Sequence, residues 1–441
     1  MTGNSTSGVA VLGDNPTRKE IIQNWNPEDA EFWQRYGKKT ATRNLVVSII
    51  ALLITFCINT LAAQVAAQLG NAGFSFSSSD LFLLTALPGL VGATGRLVYT
   101  YLPARMGGRN FTFVFTAILL IPLIGIGIAV QDTSTPFAVF AGLFAFLGLA
   151  LSVFSGSMAN IGFFFPIKEK GTANGLNAGI GNLGVAVTYF VTPIVIGQYL
   201  GIGSGVTTPA GTQIYLQNAC FFWVIPTIVA LVLVLLFMDN LPMPKQSFKD
   251  MAAIFKNKHT WFCTWIYTCG FGSFIGYSAA LMLIIKAAFP EMASLNIAFL
   301  GPLIGAGVRP VGGWLSDKIN SGAKVTFFSL IIMLAATLVL IASIQGHNFA
   351  MFFSAMMVLF LTTGFINGAS FRMVPNIFTD KQQASQVTGF TAAIAAYGSF
   401  IIPILFQQSF EMALAILAVF TVATLVLTWV VYTRKNAEIK C

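Results

Sequence analysis

DNLPMPKQSFKDMAAIFKNKH (residues 239–259) is the longest internal loop on the side of the chain's basic loops, and it separates two sets of apolar segments. A membrane-spanning helix needs about 20 apolar residues. Runs of that length occur six times before the stretch and six times after it. Charged residues make up only 9% of the chain, against about 25% in soluble domains. The sequence therefore predicts an all-α membrane protein with twelve transmembrane helices in two six-helix, pseudo-symmetric halves.

The limits of these predicted elements follow from the apolar runs. The predicted spans lie near residues 44–68, 81–102, 111–130, 137–165, 172–197, 218–238, 261–286, 296–316, 324–344, 349–373, 385–407 and 410–432. The predicted organisation is an N-terminal tail at 1–43, a first half at 44–238, a linker at 239–260, a second half at 261–432 and a tail at 433–441.

The basic residues predict the orientation. All lysines and arginines except Lys286, Arg96 and Arg309 lie in the tails or in the loops of one side. Short loops rich in lysine and arginine stay in the cytoplasm, so both termini are predicted to be cytoplasmic. The net charge of +9 then reflects residues that border membrane lipid, and no nucleic-acid partner is expected. The first 43 residues lack the apolar core of a cleaved signal peptide, so span one is expected to act as the insertion signal.

Two arginines interrupt the apolar spans in matching contexts. "GATGR" (92–96) lies on span two, and "GAGVR" (305–309) lies on the equivalent span eight. Each arginine precedes the first basic residue of the cytoplasmic edge by nine positions. At 1.5 Å per residue both lie about 13 Å inside a slab about 30 Å thick, near its middle. Inserting an arginine at the centre of a transmembrane helix costs at least about 2.5–3.5 kcal/mol of free energy.

No acidic residue is predicted to balance these charges. Every aspartate and glutamate falls in a tail, in a loop or near a membrane surface, and both histidines fall at loop edges. One interpretation is that each arginine extends along its helix to the cytoplasmic surface. The interpretation favoured here is that a transported anion is the missing counter-ion, because guanidinium groups match oxyanions with forked donors.

Polar, aromatic and small residues on other spans are candidates for the same site. Asn177 lies about one turn into span five, where an unpaired amide is costly, and it binds either a substrate oxygen or a neighbouring helix. Tyr267 and Phe271 share a helix face at spacing i, i+4, either as core packing or as a binding surface. Gly148 on span four has room for a ligand.

Glycines on span five suggest close helix packing. In "NGLNAGIGNLGVAV" (174–187), Gly175 and Gly179 form a GxxxG face with Gly181 and Gly184 beside it. Such faces allow helix backbones to approach closely. The five cysteines show no metal-ligand or redox spacing and are predicted to be buried apolar residues.

Two equivalent six-span halves resemble the major facilitator superfamily, whose substrate site lies between the halves near the membrane midplane. "GGWLSDKINSGAK" (312–324) resembles the gating loop of that superfamily, which implies a gating role for Asp317. The first-half copy, "YLPARMGGR" (101–109), lacks the aspartate.

Nearly the whole chain resembles the nitrate/nitrite porter family, the NarK type, of that superfamily. The resemblance is carried by "WNPEDAEFW" (25–33), "LTALPGLVGATGR" (84–96), "VQDTSTP" (130–136), "SMANIGFFFP" (157–166), "GLNAGIGNLGV" (175–185), "GSFIGYSA" (272–279) and "FLGPLIGAGVR" (299–309). It implies that Arg96 and Arg309 clamp nitrate. The other pocket and gating residues that it implies are Asn177, Tyr267, Phe271, Gly148, Gly175, Gly179 and Gly181. On span eleven, "GFTAAIAAYGSF" (389–400) has alanines where the family's second signature has glycines.

The expected activity is alternating-access transport of nitrate and nitrite in a bacterial inner membrane by a monomer without cofactors. The absence of a central acid or histidine favours nitrate/nitrite antiport. The alternative is proton-coupled nitrate symport, which the short loop "NIFTDKQQASQ" (376–386) favours by family resemblance. Weaker alternatives are a carrier of another oxyanion, a proton-coupled drug exporter and a nitrate receptor. An enzyme is not expected, since no nucleophile-base pair, cofactor motif or metal-ligand cluster is present.

Overall fold

The computed structural model describes residues 15–209, 211–243, 253–292 and 297–441, without the side chains of residues 381 and 382. The predictions for the tail before residue 15, and for Lys245, Lys249 and Asp250 in the linker, lie outside the described residues. Within them, eleven helices are long and apolar enough to cross a membrane. The remaining predicted span, span eight, is present as two shorter helices, Leu300–Gly307 and Arg309–Lys318. The fold is the predicted one, with twelve spans in two six-helix halves.

The first half contains spans one to six. They are Lys38–Leu69, Ser78–Tyr99, Gly108–Ala117 with Leu120–Ala129, Phe137–Leu147 with Leu149–Phe164, Ile167–Ile196, and Asn218–Phe237. Two short strands, Val206–Thr207 and Gln213–Ile214, pair antiparallel between spans five and six, with Val206 opposite Ile214.

The second half contains spans seven to twelve. They are Lys258–Tyr267 with Thr268–Gly272 and Ser273–Ala288, Leu300–Gly307 with Arg309–Lys318, Gly322–Gln345, Phe349–Ile377, Lys381–Ala395 with Gly398–Gln408, and Phe410–Thr428 with Trp429–Thr433. The remaining helices are Arg18–Gln23, Ala30–Phe32, Trp33–Gly37, Leu102–Met106, Ala253–Lys256 and Pro290–Met292.

Span eight is interrupted at the residue before its arginine. Val308 alone separates its two helices, and Pro310 follows Arg309 in the first turn of the second helix. Proline lacks an amide hydrogen and crowds the preceding turn, and Gly307 is a poor helix former. The sequence around Arg309 therefore loosens the helix at the depth where the arginine lies.

The N-terminal tail is anchored to the first half. Asp239, at the end of span six, is 6% exposed. Its carboxylate accepts from Arg18 Nε at 2.5 Å, Arg43 Nη2 at 2.7 Å and Asn44 Nδ2 at 2.8 Å. A buried carboxylate needs such partners to offset its desolvation. These contacts tie the tail, span one and span six together on the side of the membrane where both tails lie, here called the tail side.

The two halves are joined by hydrogen bonds on the side opposite the tails. Lys286 Nζ of span seven donates to the Ala67 carbonyl of span one at 2.8 Å. Gln407 Nε2 of span eleven donates to Ser79 Oγ, next to the start of span two, at 2.6 Å. These contacts hold the first half against the second and so define the interface in which the candidate site lies.

Candidate functional site

Arg96 of span two is fully buried, with 0% exposure. Its Nε donates to the Leu151 carbonyl at 3.0 Å, and its Nη1 donates to the Ala392 carbonyl at 2.8 Å. Its Cζ lies 4.6 Å from the ring centre of Phe154. Because Leu151 is on span four and Ala392 on span eleven, the guanidinium connects the two halves. Its Nη2 is buried and makes no hydrogen bond within the part of the chain that the structure describes.

Arg309 of span eight is 8% exposed. Its Nε and Nη2 are buried and have no hydrogen-bond partner among the described residues. Its Cζ lies 4.3 Å from the ring centre of Phe274. An aromatic face attracts a cation but leaves its N–H groups unsatisfied. Arg309 thus has more free donors than Arg96.

One aromatic ring brings the two arginines together. The ring centre of Phe271 lies 5.4 Å from Arg96 Cζ and 5.5 Å from Arg309 Cζ. The two Cζ atoms are therefore separated by no more than the sum of these distances. Tyr267 stacks on Phe271 with ring centres 5.5 Å apart, so the predicted i, i+4 contact is confirmed. Phe271 lies within a π-helical turn, Thr268–Gly272, that begins directly after Tyr267; such turns are frequent at functional sites.

The positive charges at this centre have no acidic partner within the described part of the chain. The ion pairs found there involve neither Arg96 nor Arg309. Burial of both side chains excludes extension to the membrane surface. An unpaired buried charge is expensive, and here two of them border one ring. Such a centre attracts a small anion that can accept several N–H bonds.

Asn177 of span five is buried in a chain of polar side chains. Its Nδ2 donates to Ser157 Oγ at 2.9 Å, and Ser157 Oγ lies 2.8 Å from Ser48 Oγ. Its Oδ1 has no partner. The two ends of an amide are assigned from such networks. The opposite orientation, with Asn177 Oδ1 accepting from Ser157 and Ser157 accepting from Ser48, leaves Nδ2 free to donate to an anion.

The glycines have different surroundings from those expected. A Cβ on Gly148 would lie 2.4 Å from the Pro88 carbonyl oxygen, so the space beside it holds span two, and its role in binding stays a prediction. Gly175 and Gly179 have no atom within 4 Å of such a Cβ, so the predicted GxxxG packing face is wrong for this structure. Close packing on span one instead involves Gly181 and Gly184, whose Cβ atoms would lie 2.8 Å from Leu52 and 2.4 Å from the Leu53 carbonyl oxygen.

Asp317 lies at the tail-side end of span eight and pairs with span ten. Its Oδ1 accepts from Arg372 Nε at 2.7 Å, and Arg372 Nη2 also donates to Asn320 Oδ1 at 2.6 Å. The equivalent loop of the first half lacks the aspartate. There Gly108 packs tightly against the Asn160 amide, with no room for a Cβ. The gating role of Asp317 stays a prediction.

Several residues at the centre were not identified from the sequence. Phe154 and Phe274 each contact an arginine of their own half. The i, i+3 spacing of Phe274 from Phe271 is the only sequence signal for either. Asn367 of span ten was also not identified from the sequence. Its amide is buried and has no hydrogen-bond partner among the described residues. A small cavity on the tail side of Tyr267, lined by Cys263, Ser370 and Thr391 among others, lies within the second half and not between the arginines.

A metal or redox role has no support in the described residues. They contain no group of three histidine, cysteine, aspartate or glutamate side chains that could hold a metal ion. All five cysteines are free and buried, as predicted. The central chemistry is therefore that of guanidinium, amide and aromatic groups.

Known proteins resemble this chain over most of its length. The model of the Major Facilitator Superfamily matches residues 45–403. The nitrate/nitrite transporter NarU of Escherichia coli (strain K12) is 36% identical, over 97% of this chain and 99% of its own. The probable nitrate/nitrite antiporter NarK2 of Thermus thermophilus is 38% identical, over 95% and 98%. A bacterial homologue of the lysosomal transporter Spinster has the same fold, with a TM-score of 0.70 at 14% identity, over 89% of this chain and 97% of its own.

Proposed function

Because this chain is a member of the nitrate/nitrite porter family of the Major Facilitator Superfamily, we propose that it transports nitrate and nitrite by alternating access, with the anion held between Arg96 and Arg309. The observation that carries the proposal is the convergence of both buried guanidinium groups on Phe271 without an acidic partner among the described residues. The relatives named for nitrate and nitrite support the choice of anion. The expected setting is a bacterial inner membrane, with both tails in the cytoplasm and the protein as a monomer.

The free donors suit a small planar monoanion. Arg96 Nη2 and Arg309 Nε and Nη2 are buried and unsatisfied. Charge-assisted hydrogen bonds from guanidinium to oxyanions are about twice as strong as neutral ones. Nitrate offers three oxygen atoms in one plane and nitrite offers two, so both can accept from donors on opposite sides. The flat face of Phe271 forms one wall of this space.

The transport cycle follows from charge balance. Without an anion, the two guanidinium groups repel each other, and closing the halves around them is unfavourable. A bound anion reduces that repulsion and allows the halves to rock around it. The Arg96–Ala392 contact between the halves must break and form as they move. A carrier that moves between its two states only when loaded exchanges one anion for another, which favours nitrate/nitrite antiport.

Proton-coupled symport is the second candidate. The described spans place no carboxylate near the arginines, so the proton would have to travel with the anion or through Tyr267, whose ring stacks on Phe271. This route is longer and less direct than exchange. The short loop at residues 376–386 favours symport by family resemblance.

Counter-flow in proteoliposomes tests the proposal. Purified protein in vesicles loaded with nitrite is expected to take up labelled nitrate without a pH gradient, and sulfate inside the vesicles should not replace nitrite. Uptake only with an inward proton gradient would establish symport. No nitrate uptake under either condition, with protein shown to be folded and inserted, would contradict the proposed function.

A further inference from the structure

Asn367 is a buried amide at the depth of the arginines. It lies on span ten with 0% exposure, and both Nδ2 and Oδ1 lack hydrogen-bond partners. Burying an unsatisfied amide costs free energy. An apolar residue would be the stable choice at a purely structural position. The position therefore needs an explanation that packing does not supply.

Asn367 lies next to span seven, which carries Phe271, and span eight, which carries Arg309. A Cβ on Gly270 of span seven would lie 3.5 Å from the Asn367 backbone nitrogen. A Cβ on Gly368 would lie 2.1 Å from the carbonyl oxygen of Arg309 on span eight. Span ten thus packs closely on both helices, because Gly270 of span seven and Gly368 of span ten have no side chain at the two contacts. This close packing fixes Asn367 between the Phe271 helix and the Arg309 helix.

The ring of Tyr267 also faces span ten, because its centre lies 5.8 Å from the ring centre of Phe371, one helical turn after Asn367. In the orientation in which Oδ1 accepts from the Tyr267 hydroxyl, Nδ2 remains a free donor. Tyr267 stacks on Phe271, the ring that both arginines contact. Asn367 therefore adjoins the Tyr267–Phe271 pair on the second-half side of the site.

We infer that Asn367 is a specificity-determining residue of the anion site, donating Nδ2–H to an oxygen of the anion held by Arg309 while Oδ1 accepts from Tyr267. The inference rests on the proposed function. A neutral, directional donor adds little binding free energy for a spherical anion. It adds most for an oxyanion with an oxygen atom within hydrogen-bond distance of the donor. Because nitrate has one more oxygen than nitrite, loss of this donor changes the preference between them as well as the affinity.

The test compares Asn367→Ala with Asn160→Ala in nitrite-loaded proteoliposomes. Asn160 is also fully buried with both amide atoms unpartnered, but it is pressed against Gly108 at the tail side. Asn367→Ala should raise the KM for nitrate about tenfold or more, the loss expected for one hydrogen bond to a charged group, and should change the nitrate-to-nitrite preference. Asn160→Ala should leave the KM and the preference unchanged, whatever it does to thermal stability.

Asn367→Asp keeps the size of the side chain and carries the test if the alanine variant does not fold. A carboxylate beside Arg309 supplies a competing counter-ion, so nitrate uptake should fall at neutral pH and recover as the pH is lowered and the carboxylate is protonated. Wild-type KM and preference in Asn367→Ala, or pH-independent wild-type uptake in Asn367→Asp, would overturn the inference. Absence of uptake by the wild-type protein would instead refute the proposed function.

Discussion

Replacing Arg309 with lysine separates the charge of the site from its geometry. The ammonium group keeps the positive charge but not the planar pair of donors formed by Nε and Nη2, which have no described protein partner. Loss of one charge-assisted hydrogen bond costs about 1.5–3 kcal/mol. Since each 1.4 kcal/mol is a tenfold change, the KM for nitrate should rise about ten- to a hundredfold. Stability should change little, because neither nitrogen donates to the protein.

Arg96→Lys is the comparison that makes this prediction specific. It should weaken nitrate transport similarly, but it should also lower the thermal unfolding midpoint. A single ammonium cannot replace both the 3.0 Å bond to Leu151 and the 2.8 Å bond to Ala392. Losing one of them costs about 1.5–3 kcal/mol. The two variants should therefore share a transport defect and differ in stability.

Counter-flow over a range of nitrate concentrations gives the KM, and thermal unfolding of the purified protein gives stability. Arg35→Lys is the matched control, since Arg35 forms an exposed ion pair with Glu31 far from the site. Binding through a forked guanidinium would be refuted if Arg309→Lys kept a nitrate KM within about twofold of wild type, well below the expected change. Equal destabilisation by both lysine variants would contradict the different hydrogen bonding of the two arginines.

Three further variants test other parts of the structure. Gly148→Ala should destabilise the protein because its Cβ would lie 2.4 Å from the Pro88 carbonyl oxygen, whereas Gly142→Ala on the same span meets nothing within 4 Å and should be tolerated; equal unfolding midpoints would contradict this. Asp239→Asn should lower the unfolding midpoint because it weakens contacts to Arg18 and Arg43 around a buried group, while Glu31→Gln, in an exposed pair, should change it by less than about 1 kcal/mol. Asp317→Asn removes the charge paired with Arg372 and should reduce the transport rate at saturating nitrate with little change in KM; a changed KM with an unchanged maximal rate would argue against a gating role.

The sequence located the arginines in depth but not in rotation about their helices. Counting residues from Arg96 to Arg105 and from Arg309 to Lys318 gave matching depths. It could not show that Arg96 would reach Ala392 on span eleven while Arg309 would meet only aromatic rings with its free donors. Those contacts depend on how spans distant in the chain are turned against each other.

The small and polar residues show the same limit. The Gly175–Gly179 pattern predicted close helix packing at the wrong pair of glycines, because the close contacts involve Gly181 and Gly184. Nothing in the sequence distinguishes Asn367 from the other asparagines of the spans. Only the structure shows that both its amide atoms are buried without hydrogen-bond partners among the described residues. A glycine stripe permits contact but does not select the helix that makes it.

Segment length, apolar content and the distribution of charge were enough to determine a twelve-span membrane protein in two halves with two arginines in its interior. These are local properties, because the membrane requires each span to satisfy its own backbone and each charge to lie where it is solvated or paired. The tertiary structure alone decided that both guanidinium groups meet at Phe271, that they differ in their free donors, and that span ten packs at Gly368, next to Asn367, on the backbone of Arg309. Those outcomes depend on helix rotation and close packing between residues far apart in the chain, which no single span encodes.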